Sequence, residues 1–349
     1  MHQRLLKNTT IYCFVFFIIA MVGMLYFDAN KIIVIADSSE SRSNSDLEIK
    51  DNLLTQYQLL MKNSKGYISE IVIPLEQTVK AENVLVENHY IDKELWIGID
   101  GANAEFYSQQ YVVGDLQNIQ DGGYDIVDDV LWIKLSMGKI FEYESTMNNG
   151  NLYIKMKEPR EVYDKIIVID AGHGGEEKGS YVGRVSEKSI ALDVLLILQN
   201  KLRDSGVKVY YTRTTDEYLE EDKRVELVNN VGADMVISIH AAYDEDVTME
   251  GITTIYNGDY FIQEFDSIDL SDMLEQSVAR ETSAQANGLQ AAGDEDILIK
   301  QAKVPAAQIN LGYLSNEEER KNLQDEEYQE LIANGIYNAI MEVYEEKLD

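Results

Sequence analysis

Imidazole is scarce in this chain. Four histidines occur, His2, His89, His173 and His240, with a single cysteine, Cys13, so any cysteine-based zinc site or internal disulfide framework is excluded. Two of the four histidines follow apolar runs that read as strands. His173 comes after KIIVID (165–170) in the turn Asp170-Ala171-Gly172-His173-Gly174-Gly175, and His240 closes VISIH (236–240). Glu187 opens a stretch with helical apolar spacing between them. Two imidazoles and one carboxylate, with a fourth position left for water, form a ligand set suited to catalytic zinc. The glycines flanking His173 let the backbone turn sharply and approach whatever is bound there.

A glycine-rich turn after the first strand of an α/β domain also suits a phosphate cradle, but the dinucleotide fingerprint fails here. Gly172 and Gly174 start a G-x-G, yet the third glycine should fall where Glu177 stands, and that acid would face a pyrophosphate.

The elements that must position these residues follow from the apolar periodicity. Runs at 165–170, 207–211, 235–240, 252–256 and 306–311 read as strands, and the spacing predicts helices over 187–204, around 225–228, 271–286 and 326–346. Strands alternating with helices imply an α/β domain over 160–349, a mostly parallel sheet with helices on both faces. In such sheets, functional residues gather at the carboxyl ends of strands. Before it, residues 66–159 carry short apolar runs at 68–73, 95–99, 130–135 and 152–156 between Gly, Asn and Asp clusters, the pattern of a small all-β domain. Trp96 and Trp132 offer it a sugar-stacking face, although aromatic residues in alternating strands more often fill a core. Residues 28–65 read as a tether, from their Ser-rich, apolar-poor stretch DSSESRSNSD.

The N-terminus directs the whole to a membrane. An uncharged run at 11–27 would span about 26 Å as a helix, near the lower limit for a bilayer. Arg4 and Lys7 precede it and Asp28 follows, so residues 1–10 are placed in the cytoplasm, 11–27 form a transmembrane anchor, and the body is extracytoplasmic. Val34-Ile35-Ala36 resembles a small-residue cleavage site, and cleavage there would make the protein secreted. A net charge of −32, from 30 basic and 62 acidic residues, makes nucleic acid an unsuitable partner.

At this point the residues resemble a known family. IIVIDAGHGG (166–175), Glu187-Lys188, YYTRTTD (210–216), the segment from Arg224 through Asn229 and GAD (232–234) to SIH (238–240), and LGYLSN (311–316) are similar, in order, to motifs of the zinc-dependent N-acetylmuramoyl-L-alanine amidases, the type 3 amidase catalytic domain. The all-β segment resembles, weakly, the AMIN-type wall-targeting domains that precede some of them. The resemblance implies one zinc ion, Zn2+, on His173, Glu187 and His240, and peptidoglycan as partner, glycan and stem peptide. It implies cleavage of the amide between the lactyl group of muramic acid and the first L-alanine. It also implies a glutamate two residues before the glycine of the last motif, acting as general base and then general acid. That position is Asn310, and an amide does not accept and return a proton near neutral pH.

General acid–base catalysis contributes about 10²–10⁴-fold, so two readings stay open. One is an amidase in which another acid substitutes, among Glu176, Glu177, Asp294, Glu295 and Asp296; these also read as solvated loop charges. The other is a pseudo-amidase that keeps zinc and serves as a wall-binding or regulatory module. The sequence leaves open the activating protein partner, the stem-peptide chemistry and the pathway, whether cell separation, sporulation or wall turnover.

Overall fold

The structure, a computed structural model, describes residues 31–33, 35–37, 57–259, 261 and 263–348. The expected cytoplasmic N-terminus (1–10) and transmembrane anchor (11–27) lie outside the described residues. Among the described residues, no helix is long and apolar enough to cross a membrane. The chain divides into two compact units, the main break falling between Lys157 and Glu158, with Lys139–Phe141 assigned to the second unit.

The first unit is all-β apart from one-turn helices at Ala81–Asn83 and Ala104–Tyr107. Its strands form two six-stranded sheets. The strands read from the sequence are present as Glu70–Pro74, Glu94–Asp100, Val130–Met137 and Asn151–Lys157. Polar strands such as Glu142–Asn148 (EYESTMN) were invisible to apolar periodicity. The tether over 28–65 requires correction where it is described. Lys31–Ile33 pairs with Ser145–Met147, Ile35–Asp37 pairs with Val86–Asn88, and Leu60–Asn63 pairs with Tyr111–Gly114, so backbone pairing recruits these residues into the sheets. Trp96 and Trp132 are 2% and 4% exposed and meet edge to face. They belong to the core rather than to an open stacking face.

In the second unit, the sheet comprises β1 (Ile166–Ala171), β2 (Lys208–Tyr211), β3 (Met235–Ala242), β4 (Ile252–Tyr256), β5 (Ala286–Ala291) and β6 (Ala306–Tyr313), in the order β2-β1-β3-β6-β4-β5. Every pairing is parallel except β6 with β4, the mostly parallel α/β sheet expected. The helices are α1 (Glu187–Leu202), α2 (Glu221–Asn230), α3 (Ser267–Thr282), α4 (Ile297–Gln301), α5 (Glu317–Asn322) and α6 (Glu326–Glu346).

Period-two alternation divides the strands into two chemically different faces. On one, Ile167, Ile169, Ala171, Ile237, Ile239, Ala307, Ile309 and Leu311 join α1, α3 and α6 in the hydrophobic core. The other carries Asp170, Ser238, His240, Gln308 and Asn310, alternating with those core residues along β1, β3 and β6. Register aligns them, Asp170 with Ser238, Ser238 with Gln308, and His240 with Asn310. The polar residues that interrupt these apolar strands therefore share one face of the sheet.

α3 begins four residues before the expected 271. Asp266 caps it by accepting from the backbone N–H groups of Ile268 and Asp269, and Asp269 returns the bond in a capping box. Ser283 ends it in the left-handed conformation.

Candidate active site

β1 delivers His173. Two residues past the strand, its backbone adopts φ 60°, a left-handed conformation uncommon for a residue with a Cβ and typical of strained positions at functional sites. Four side chains hold the turn. Arg213, 1% exposed, donates to the carbonyls of Ala171, Gly172 and Lys188 at 2.8–2.9 Å. Arg224, equally buried, donates to the carbonyls of Ala171 (3.0 Å) and His173 (2.8 Å) and pairs with Asp170. Lys188 donates to the Gly175 carbonyl and to Asp216, each at 2.6 Å, while the Gly175 N–H donates to the same Asp216 carboxylate. The Arg213, Asp216 and Arg224 of the sequence motifs thus clamp the His173 loop.

α1 delivers Glu187. It is the first residue of the helix and heads the buried stripe Glu187, Ile190, Ala191, Val194, Leu195 and Leu198, so helical periodicity carries a carboxylate to the edge of the core. The N-terminal end of the helix favours negative charge, and the Ser180 N–H donates to Oε2 at 2.7 Å. Oε1 lies 2.7 Å from His240 Nδ1 and 3.2 Å from His173 Nε2, and the two rings meet edge to face with centroids 5.1 Å apart. One donor atom from each of the three residues falls within 4.8 Å of the others.

Close packing requires two glycines here. A Cβ on Gly172 would enter the His240 ring, and one on Gly179, which has φ +62°, would lie 2.5 Å from both Glu187 Oε2 and His173 Cδ2.

The electrostatics follow from this convergence. Burial raises the Glu187 carboxyl, but its bonds and charge interactions with the two histidines outweigh burial and hold it far below the usual range. For His173, burial lowers the ring, and Glu187 and Glu177 together overcome this and lift it to about 9. A buried anion between two imidazoles suits a divalent cation. The donor set is that of catalytic zinc, whose bonds of about 2.0–2.2 Å put neighbouring donors roughly 3.3 Å apart, within reach of this cluster by small side-chain movements.

The three ligand candidates are therefore brought together, and with them a cavity of about 520 Å³ whose walls include Asp170, Glu177, Ser180, Glu221, Ser238, Glu295, Asp296 and Gln308. Residues 167–342 match the N-acetylmuramoyl-L-alanine amidase family. The chain belongs to this family. Among its relatives, the germination-specific N-acetylmuramoyl-L-alanine amidase of Bacillus subtilis (strain 168) is 27% identical over 237 residues, covering 62% of this chain and 96% of that one. The probable cell wall amidase LytH of Staphylococcus aureus is 26% identical over 219 residues, covering 58% and 71%. Among solved structures, the CwlD amidase of Clostridioides difficile, in complex with the GerS lipoprotein, is 33% identical, covers 53% of this chain and 100% of that one, and has a TM-score of 0.48.

In this family member, Asn310 aligns with His240 on β3 and with Thr253 on β4. Its amide nitrogen donates to Thr253 Oγ1 at 3.2 Å, so it ties the antiparallel junction of the sheet and supplies no proton carrier. Periodicity missed several residues of the site. Glu177, read as a failed fingerprint glycine and as either a substitute acid or a solvated charge, holds His173 Nδ1 at 2.7 Å, the orienting partner that a ligand histidine requires. Its four-residue spacing from His173 was the available signal. Glu221 and Gln308 had none, because only the packing of α2 and the register of β6 bring them to the cavity.

Proposed function

We propose that the chain is a zinc hydrolase of peptidoglycan that cleaves the amide between the lactyl group of muramic acid and the L-alanine of the stem peptide. The carrying observation is the convergence of His173, Glu187 and His240 at the carboxyl end of a parallel sheet, in a segment that matches the amidase family. His173 and His240 would hold the zinc as neutral imidazoles and Glu187 as a carboxylate. Bound zinc supplies a water activated near neutral pH and polarises the amide carbonyl.

The remaining work falls to the chain. Glu177 fixes the His173 ring through Nδ1, Ser180 fixes the second oxygen of Glu187, and Arg213 and Arg224 hold the loop carbonyls by donating to them. A cavity of about 520 Å³ is of the size that takes a small ligand or a few residues of a peptide.

The test is incubation of the zinc-loaded full chain with muropeptides, counting released stem peptides. Release is expected from the wild type and is expected to be lost in His240→Ala together with the bound zinc. Release that persists in His240→Ala, or after complete removal of metal, overturns the zinc assignment.

We place the body outside the cytoplasm, held by the 11–27 segment. The support is the uncharged run with Arg4 and Lys7 before it and Asp28 after it. External protease should digest the body on intact protoplasts; a body protected until lysis refutes this placement.

A further inference from the structure

The amide at position 310 leaves the reaction without a proton carrier on β6, and the cavity shows which group can take that task. Six carboxylates line it: Asp170, Glu177, Glu187, Glu221, Glu295 and Asp296. Five are committed elsewhere or misplaced for proton transfer. Glu187 is the ligand candidate. Asp170 is fully buried and held as an anion by Arg224, Thr212 and Ser238. Glu177 is bound to His173 Nδ1. Asp296 accepts from the Gly293 N–H at 2.8 Å, closing the turn before α4, and Glu295 is an exposed residue of that same turn, its carboxylate beside Gly293 rather than packed into the site.

Glu221 differs from all of these. It is the first residue of α2, half-buried, and among the described residues its ion-pair partner is Arg224 Nε at 3.6 Å, beyond hydrogen-bond range. Arg224 is already occupied by Asp170 and three carbonyls.

We infer that Glu221 is the catalytic proton carrier of this amidase, replacing from α2 the carboxylate that β6 lacks. The assignment rests on the amidase reading above. As the water oxygen bonds to the lactyl carbonyl carbon, its proton passes to the Glu221 carboxylate. As the carbon–nitrogen bond breaks, the same proton passes to the alanine nitrogen, leaving a free amino terminus and a lactyl carboxylic acid, which loses the water's second proton to solvent. The surroundings favour a carboxyl that both accepts and returns a proton. Burial raises Glu221 above its ordinary range, and Asp170 and Glu177 raise it further, against the lowering influence of Arg224 and His240.

The experiment uses the zinc-loaded full chain in detergent with defined muropeptides and compares wild type, Glu221→Gln and the double variant Glu221→Gln/Asn310→Glu. Glu221→Gln should lower kcat by about 10²–10⁴-fold, with zinc content and KM within about twofold of wild type, and should remove the acidic limb of the kcat–pH profile. The double variant should regain at least tenfold, since Asn310→Glu supplies a carboxylate at the other position, while the lost acidic limb is the readout that a merely structural role for Glu221 would not move. An active wild type with Glu221→Gln within threefold of it, or a Glu221→Gln protein that has lost its zinc, overturns the assignment alone. A zinc-loaded wild type that releases no stem peptide overturns the amidase reading and this assignment with it.

Discussion

Asp170 shows how much of the site rests on a single buried charge. It is 1% exposed, and burial by itself would push its carboxyl up. The Arg224 guanidinium, with His240 and the hydroxyls of Ser238 and Thr212, outweighs burial and holds it at about 2 against an ordinary 3.8. Because the folded value is depressed, the stability this group contributes is complete above pH 3.8 and is lost as pH falls toward 2, about 2 kcal/mol in all. Replacing it by Asp170→Asn leaves Arg224 charged and unpaired in the interior, which costs about 3–5 kcal/mol. Urea unfolding should show this loss at pH 7, and the wild-type curve should fall toward the variant between pH 4 and 2. Parallel curves across that range would refute the pair as the source. His173 and His240 were legible because only four histidines exist and two stand at strand ends. Glu177 and Glu221 were not, because each is one acid among 62 and only folded distance separates a ligand's orienting partner or a proton carrier from a solvated charge.

Among the elements, the loop after β1 is where sequence motif and geometry meet. β2 ends at Tyr211, and two residues later Arg213 reaches across to three carbonyls on β1, the loop and α1. The guanidinium fork makes this possible by donating from Nε and Nη2 at once; a lysine's donors all sit on one nitrogen and cannot span those separated carbonyls. Arg213→Lys should therefore leave buried carbonyls unsatisfied at about 1–3 kcal/mol each, and should loosen His173 enough to weaken zinc binding about 10–100-fold, as loss of an orienting contact does. Competition against a zinc chelator measures this, and an unchanged affinity would show that the turn holds without the clamp. Element legibility followed periodicity. β4 and α6 were read to the residue because their apolar spacing is sustained, at 252–256 and 326–346. β5 (ANGLQA) escaped because Leu289 is its one large apolar residue, and α4, five residues long, is too short to show a helical repeat. Register was beyond reach of the sequence as well, and register brings Gln308 beside Ser238 and Asn310 beside His240.

For the whole molecule, the hydrophobic core of the amidase unit decides whether catalysis depends on the β unit for folding. The buried members of that core run from Ile167 on β1 to Tyr344 on α6, and the residues that clamp the site, Asp170, Arg213, Asp216 and Arg224, all lie between them in sequence. The terminal helix closes the structure from its far end. Tyr344 donates to Asp234 at 3.0 Å, and that same carboxylate accepts from the Ile166 N–H at 2.8 Å, so the last helix is fastened to the first strand and the chain ends of the unit are joined. Arg160 adds a bond to the Gly232 carbonyl at 2.7 Å and a pairing with Asp234, which places the natural start of the unit before Arg160, consistent with the break at Lys157 and Glu158. A fragment of residues 158–349 should therefore fold by itself, with a single cooperative urea transition and the zinc stoichiometry of the full chain. Shortening it further, to begin at 166, removes Arg160 and exposes Asp234, and should lower the transition midpoint while leaving zinc content unchanged. A 158–349 fragment that is molten, or that binds zinc only when the β unit is supplied, would show that the second unit does not hold its site alone.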